Sequence, residues 1–194
     1  MEPITLRPAV PEDAGDLLEI YRPYVENTAI TFEYDVPTLA DFTQRVKGTL
    51  EQFPYLVAQR GDEILGYAYA GPFHPRAAYQ WAVEVTIYLR RDQRGNGLGR
   101  RLYDALENLL RAQNVLLCYA CIAYPEQEDE YLTQASVRFH GKLGYAQVGR
   151  FHQCGYKFGR WYDMVWMEKR LGEAVTPPPA RIPFPKLKNG GTSQ

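Results

Sequence analysis

Apolar residues recur along this chain with two periods, and the switches between them lay out its elements. Residues 4–7 form a short strand, and after Pro11 the positions Ala14, Leu17, Leu18, Tyr21 and Val25 share one face at helical spacing. Pro23 should kink or end that helix, because proline removes a backbone bond and crowds the preceding turn. A second helix starts at Thr38, whose hydroxyl can cap it with Asp41 three residues on; its apolar face is Leu39, Phe42, Val46, Leu50 and Phe53. Residues 55–59 and 63–70, separated by Arg60-Gly61-Asp62, read as a hairpin. Over residues 81–89 the period becomes two, with Val83, Val85, Ile87 and Leu89 on one face and Glu84, Thr86 and Tyr88 on the other.

A glycine-rich turn then opens a helix striped by Leu98, Leu102, Ala105, Leu106, Leu109 and Leu110. An apolar strand over 115–123, an acidic insertion PEQEDEYLT, a short helix over 133–143 that stops at Gly144, and strands over 145–151 and 161–169 complete the pattern. The order βααβββαβαββ predicts an α/β fold with a mixed sheet, since tight hairpins and helical crossovers both occur.

Length and charge narrow this picture. The 194 residues suit one domain with a substantial core. A net charge of −1, from 22 basic and 23 acidic residues, argues against nucleic acid as a partner. From Glu173 the chain holds five of its fourteen prolines and a Gly-Gly pair, so a domain over 1–172 is expected to precede a Pro-rich tail over 173–194, disordered or draped on the surface. Without that tail's one acid and three bases the domain carries −3. The longest apolar run, residues 115–124, is about half of what a membrane-crossing helix needs, and the first residues lack the pattern of a signal peptide. The expectation is a cytoplasmic protein without a membrane role. Three cysteines make a disulfide scaffold unexpected. Cys118 and Cys121 lie on one strand, where positions three apart point to opposite faces, so they read as packing residues, and no metal is expected.

The most informative segment is Arg94-Gly95-Asn96-Gly97-Leu98-Gly99, between a strand and a helix. At a helix start several N–H groups lack intrahelical partners and the dipole is positive, so glycines there let a phosphate reach bare backbone. No Lys-Ser/Thr follows the glycines as in a Walker loop, and no acidic residue ends the next strand as in a dinucleotide fold. Spacing alone leaves two readings, an anion cradle or a tight turn.

The segment resembles the Q/R-x-x-G-x-G/A signature of the GNAT superfamily of N-acetyltransferases. YAGPFHPRAAYQWAVEVTIYL (residues 69–89), the opening LRPAVPEDAGDLLEIYRPYVENTAITFEY and GYKFGRWYDMVWMEKRL (residues 155–171) are similar to its phosphinothricin and methionine sulfoximine acetyltransferase branch. The resemblance implies the GNAT-type acyl-CoA N-acyltransferase fold, a mixed central sheet flanked by helices, and acetyl-CoA as co-substrate. Its pyrophosphate would meet Arg94, Gly95, Asn96, Gly97, Leu98 and Gly99, and its pantetheine the backbone of Ile87, Tyr88 and Leu89. Where the branch carries Asn-x-x-Ser to hold the co-substrate, this chain has Thr133 and Ser136, and threonine lacks the amide's paired hydrogen-bonding capacity. A homodimer is also implied.

Amide formation from a thioester needs a neutral amine and a proton for the departing thiolate. An α-amino group is only about 10% neutral at pH 7, so a base helps. Glu84, a carboxylate among apolar strand residues, suits that role or is simply a solvent-facing strand position; the resemblance implies the base. His140 could protonate the thiolate, help deprotonate the amine, or merely pack. Phe32, Arg76, Tyr79 and Lys157 are substrate candidates, the two cations for a carboxylate or as plain surface charges. With no cysteine near residues 81–89 in sequence, direct attack in a ternary complex is expected over an acetyl-cysteine route. The alternatives are another amine (a polyamine, an aminoglycoside, a protein N-terminus) or a non-catalytic acyl-CoA-binding module.

Overall fold

The computed structural model describes residues 2–187. Strands β1 (Ile4–Pro8), β2 (Tyr55–Arg60), β3 (Glu63–Pro72), β4 (Ala82–Leu89), β5 (Leu117–Tyr124), β6 (Ala146–Lys157) and β7 (Arg160–Arg170) form one sheet ordered β1-β2-β3-β4-β5-β7-β6. Helices α1 (Ala14–Asn27), α2 (Leu39–Leu50), α3 (Leu98–Ala112) and α4 (Ala135–Lys142) interrupt it in the expected chain order. Each neighbouring strand pair is antiparallel except β4 and β5, which α3 joins as a parallel crossover.

Strand alternation gives the sheet two apolar faces. On one, Leu56, Ala58, Leu65, Ala68, Val83 and Val85 pack with the leucine stripe of α3; on the other, Tyr55, Val57, Ile64 and Tyr67 meet α1 and α2. Thr38 caps α2 as its sequence suggests: its hydroxyl accepts the Asp41 N–H at 3.1 Å and donates to the Asp41 carboxylate at 2.7 Å. Leu39, assigned above to the apolar face of α2, is instead 54% exposed, and Phe53 lies beyond that helix. Pro23 does not end α1, which continues to Asn27; burial of Tyr24 and Val25 holds the last turn despite the lost backbone bond. Strand β6 is longer than its apolar pattern because it passes through the polar run His152-Gln153-Cys154, where the register shifts and Gln153 adopts a positive φ of 47°. A two-residue turn, Phe158-Gly159, with φ of 50° and 74°, returns the chain into β7.

The β4–β5 seam positions everything that follows. Only Ala82, Val83 and Glu84 pair with Leu117, Cys118 and Tyr119. Beyond them β4 stays with β3 as far as Leu89, and β5 stays with β7 as far as Tyr124. The two strands therefore splay, and a cleft opens between two half-sheets.

Residues 179–184 lie against the domain. The Trp81 indole N–H donates to the Pro179 carbonyl at 2.7 Å, and the fully buried Gln113 amide donates to the Ile182 and Gln52 carbonyls at 2.7 and 2.8 Å. Arg181 lies over the Phe53 ring, 4.7 Å from its centroid. The expectation for residues 188–194 falls outside the described residues. Among those described, no helix is long and apolar enough to cross a membrane, and no three His, Cys, Asp or Glu side chains could together hold a metal ion.

Candidate active site

After β4 the chain makes a short 3-10 turn (Arg91–Gln93), extends through Arg94 and enters α3 by way of Gly95 and Gly97, at φ of 80° and 84°. Those values are strained for any residue carrying a Cβ. The Asn96 side-chain oxygen accepts the Leu98 N–H at 3.1 Å. The amides of Gly95, Gly97, Gly99 and Arg100 have no acceptor among the described residues, and they gather at the positive end of α3. Gly99 serves packing: a Cβ there would lie 3.0 Å from the Phe139 ring of α4. Arg94, Arg100 and Lys142 line the same mouth, so local cations and bare amides create an anion site on a domain of net negative charge.

The inner edge of β4 offers a second kind of contact. The Arg90 N–H turns back to the Leu65 carbonyl at 2.8 Å, toward β3. Leu89 faces the other way: its carbonyl accepts the Tyr24 hydroxyl at 2.5 Å. Alternation along the strand puts the N–H and C=O groups of Ile87 on that same edge, beyond the last β4–β5 pair, where an extended amide chain can pair as an added strand.

Glu84 sits at the base of the splay, half-buried, and burial pushes its carboxyl above the ordinary range. His140, on α4, is buried. Its Nδ1 lies 2.8 Å from the Ser136 carbonyl, which can only accept, so Nδ1 carries the proton and Nε2 accepts the Tyr103 hydroxyl at 2.8 Å. Burial pulls His140 down to about 4, against the opposing effect of the Ser136 contact, so the ring is neutral at pH 7. Cys121 is distant in sequence from β4 but lines the same cleft, because β5 lies beside β4. Burial and then the nearby Glu84 charge push its thiol up to about 12, which removes the thiolate a cysteine nucleophile needs.

One cavity of about 610 Å³ collects most of the residues singled out in the sequence: Glu84, Ile87, Tyr88, Leu89, Arg94, Gly95, Gly97, Gly99, Thr133, Ser136 and His140. Two members of the glycine turn stand apart. The Leu98 side chain is buried in the core and its amide is taken by Asn96, which thereby acts as a cap. The four substrate candidates also lie outside this cavity. Phe32 packs beside Tyr162 and over Gly155. Tyr79 packs on Phe73 and His74, in the same loop as the exposed Arg76. Lys157, expected to offer its charge to a carboxylate, instead buries its ammonium on the Val25 and Thr31 carbonyls at 2.7 and 2.9 Å, tying β6 to the end of α1 and the following loop. Sequence reasoning missed Tyr103, Tyr24, Arg100 and Lys142. The one sequence signal for Tyr103 is its place beside Leu102 in the leucine stripe of α3, where a residue with a polar tip must find a partner.

The cleft thus combines an anion cradle, an edge for an extended amide chain and a carboxylate of raised pKa. Residues 6–166 match the family described as Acetyltransferase (GNAT) domain. The chain is 35% identical over 172 residues to the phosphinothricin N-acetyltransferase of Streptomyces coelicolor, covering 87% of this chain and 96% of that one. It is 34% identical over 179 residues to an L-methionine sulfoximine/L-methionine sulfone acetyltransferase of Pseudomonas aeruginosa, covering 90% and 98%. Among solved structures it is similar to a GNAT superfamily phosphinothricin acetyltransferase from Sinorhizobium meliloti in complex with AcCoA, with a TM-score of 0.83, 33% identity and coverage of 94% and 96%.

Proposed function

Because this chain belongs to the acetyltransferase (GNAT) family, we propose that it moves the acetyl group of acetyl-CoA directly to the amino group of a small amino acid or amino-acid analogue of the phosphinothricin or methionine sulfoximine type. The observation that carries this reading is the splayed β4–β5 cleft, where Glu84, the open edge at Ile87 and the unpaired amides at the start of α3 line one cavity. The amides of Gly95, Gly97, Gly99 and Arg100 hold the pyrophosphate, and Thr133, just before α4, and Ser136, in its first turn, flank the co-substrate. Glu84 takes a proton from the substrate ammonium, directly or through a water. The freed nitrogen forms a bond to the acetyl carbon as the carbon–sulfur bond breaks, and the departing thiolate takes up the second proton that this nitrogen sheds as it becomes an amide. Its raised pKa brings Glu84 closer to the amine it must deprotonate.

A neutral His140 does not deliver that proton as an imidazolium. It fixes the Tyr103 hydroxyl through Nε2 and so acts as a positioning residue in this cleft. Arg76, Tyr79 and Phe32 remain substrate contacts in this proposal only by way of movement of their loops or of a second subunit. A homodimer is supported by the edge strand β6, where Val148 and Phe151 are 53% and 57% exposed, and by Trp161 of β7, 62% exposed. The proposed compartment is the cytoplasm.

The test is to incubate the protein with acetyl-CoA and an amino-acid panel including phosphinothricin and methionine sulfone, and to follow free thiol. Turnover is expected, and Glu84→Gln should lower kcat by about 10² to 10⁴ while CoA still binds. No turnover across the panel despite CoA binding would defeat the substrate assignment, and an unimpaired Glu84→Gln would defeat the base.

A further inference from the structure

Beside the cleft lies a second cavity, of about 520 Å³, between α2 and the outer face of β2 and β3. Its walls include Tyr21, Phe42, Arg45, Tyr55, Tyr67 and Tyr69, and both Tyr69 and Tyr88 line the first cavity as well. The sheet register explains the arrangement. On this face Tyr55 pairs with Tyr69 and Tyr69 with Thr86, while Tyr67 pairs with Tyr88 one step further along. In the opposite direction the next pair is Gly71 with Glu84, and a Cβ on Gly71 would meet nothing within 4 Å. Glycine therefore leaves the way open between the carboxylate and the tyrosines.

The hydroxyls in this cavity are poorly matched by the protein. Tyr55 and Tyr67 are 2% and 1% exposed, yet no backbone group or charged side chain bonds the hydroxyl of Tyr55, Tyr67, Tyr69 or Tyr88 among the described residues. Each finds at most a neighbouring hydroxyl: Tyr67 for Tyr55, Thr86 for Tyr69, Tyr21 for Tyr88. Hydroxyls that line a cavity without a backbone or charged partner can bond an oxygen-bearing group placed there. At the rim stands Arg45, with one contact to Glu33 at 2.6 Å and the rest of its five-donor guanidinium free of other side chains.

We infer that this cavity receives the side chain of the acceptor, that it prefers amino acids whose side chain ends in an anionic oxyacid group, and that Arg45 is the specificity-determining charge. The inference rests on the acetyl-transfer reading above. With the acceptor nitrogen at Glu84, one pair step along β3 and β4, about 7 Å, leads to Tyr69 and Thr86. That is roughly the reach of an amino acid extended from its α-nitrogen to an acid on its γ or δ atom. The tyrosine hydroxyls donate to the terminal oxygens, and Arg45 supplies the countercharge, drawn in part from Glu33.

The test compares L-phosphinothricin, whose side chain ends in an anionic phosphinate, with L-methionine sulfone, whose side chain ends in a neutral oxygen-bearing group. In Arg45→Gln the KM for phosphinothricin should rise about tenfold or more with kcat kept, while the KM values for methionine sulfone and acetyl-CoA stay within about threefold. Tyr67→Phe, which deletes one hydroxyl and no packing, should raise KM for both acceptors. Lys47→Gln, on the exposed side of α2, is the control and should change neither. Equal effects of Arg45→Gln on both acceptors, or none on either, would overturn the inference. So would a gain of activity on cationic amino acids in the wild type that Glu33→Gln abolishes. If the wild type turns over neither acceptor, the acetyl-transfer reading fails on its own, and the cavity is judged by calorimetry of phosphinothricin with the CoA-loaded protein. Binding that Arg45→Gln removes and Lys47→Gln keeps supports the cavity; absent or unaltered binding overturns it.

Discussion

Lowering the pH from 7 to 5 should cost this protein about 2 kcal/mol of folding stability through one side chain, His140. The ordinary imidazole titrates near 6.5, and burial between α3 and α4 brings His140 to about 4 in the folded protein. The folded value is the lower one, so the unfolded chain binds the extra proton. The contribution is complete above the unfolded value and is lost as the pH falls through the folded one. At pH 5 the unfolded imidazole is almost wholly charged and the folded one about a tenth charged, a ratio worth about 2 kcal/mol; below pH 4 the loss levels off at about 3 kcal/mol. Geometry gives the same sign, because a protonated Nε2 would no longer accept from the Tyr103 hydroxyl, 2.8 Å away. Urea unfolding of wild type and His140→Gln at pH 7.5, 6.5, 5.5 and 5.0 reads this directly. The stability advantage of the wild type should shrink by about 2 kcal/mol over that range. Paired carboxylates such as Asp13 and Asp163, held below their usual range beside Arg7 and Arg150, lose stability on acidification in both proteins and cancel in the difference. A constant gap would refute the reasoning, since it would mean that the buried ring is as readily charged as a free one.

Two further outcomes follow from the fold. Gly97→Ala places a Cβ at a φ of 84°, immediately before α3, and should cost about 1 kcal/mol of stability and raise the KM for acetyl-CoA; an unchanged urea midpoint would contradict the strain argument. Ending the chain at Val175 removes the acceptors of the Trp81 indole and of one Gln113 amide N–H. Since Gln113 is fully buried, the truncated protein should lose about 1 to 3 kcal/mol in urea unfolding, and equal stability would show that water replaces those carbonyls at no cost.

The sequence disclosed the order of elements because each strand and helix buries an apolar face with its own period. It disclosed the glycine turn for a similar reason: backbone conformation and bare amides are local properties of Arg94 to Gly99. What stayed hidden depends on contacts between distant segments. Nothing around Cys121 announces a place beside Glu84, since that follows from β5 pairing with β4. Lys157 looked like a free cation because its partners, the Val25 and Thr31 carbonyls, lie more than 120 residues earlier. Tyr55, Tyr67, Tyr69 and Tyr88 look like ordinary strand residues until the register of three strands gathers them on one face. The polar run in β6 misled for the opposite reason, as an edge strand has no need of apolar residues on both sides.

The three residue pairs that join β4 to β5 behave as the pivot of a lever. From Glu84 to Leu89 the arm of β4, which stays paired with β3, is about 17 Å long, so a rotation of about 4° of that half-sheet at the seam displaces its tip by about 1 Å. Glu84 belongs to the pivot itself. A flexing of the half-sheets that widened the mouth at Leu89 and Arg94 would therefore barely move the carboxylate at the fulcrum. Freedom at the mouth and fixed placement of the carboxylate would thus be separated along a single strand, by nothing more than distance from the point where two half-sheets meet.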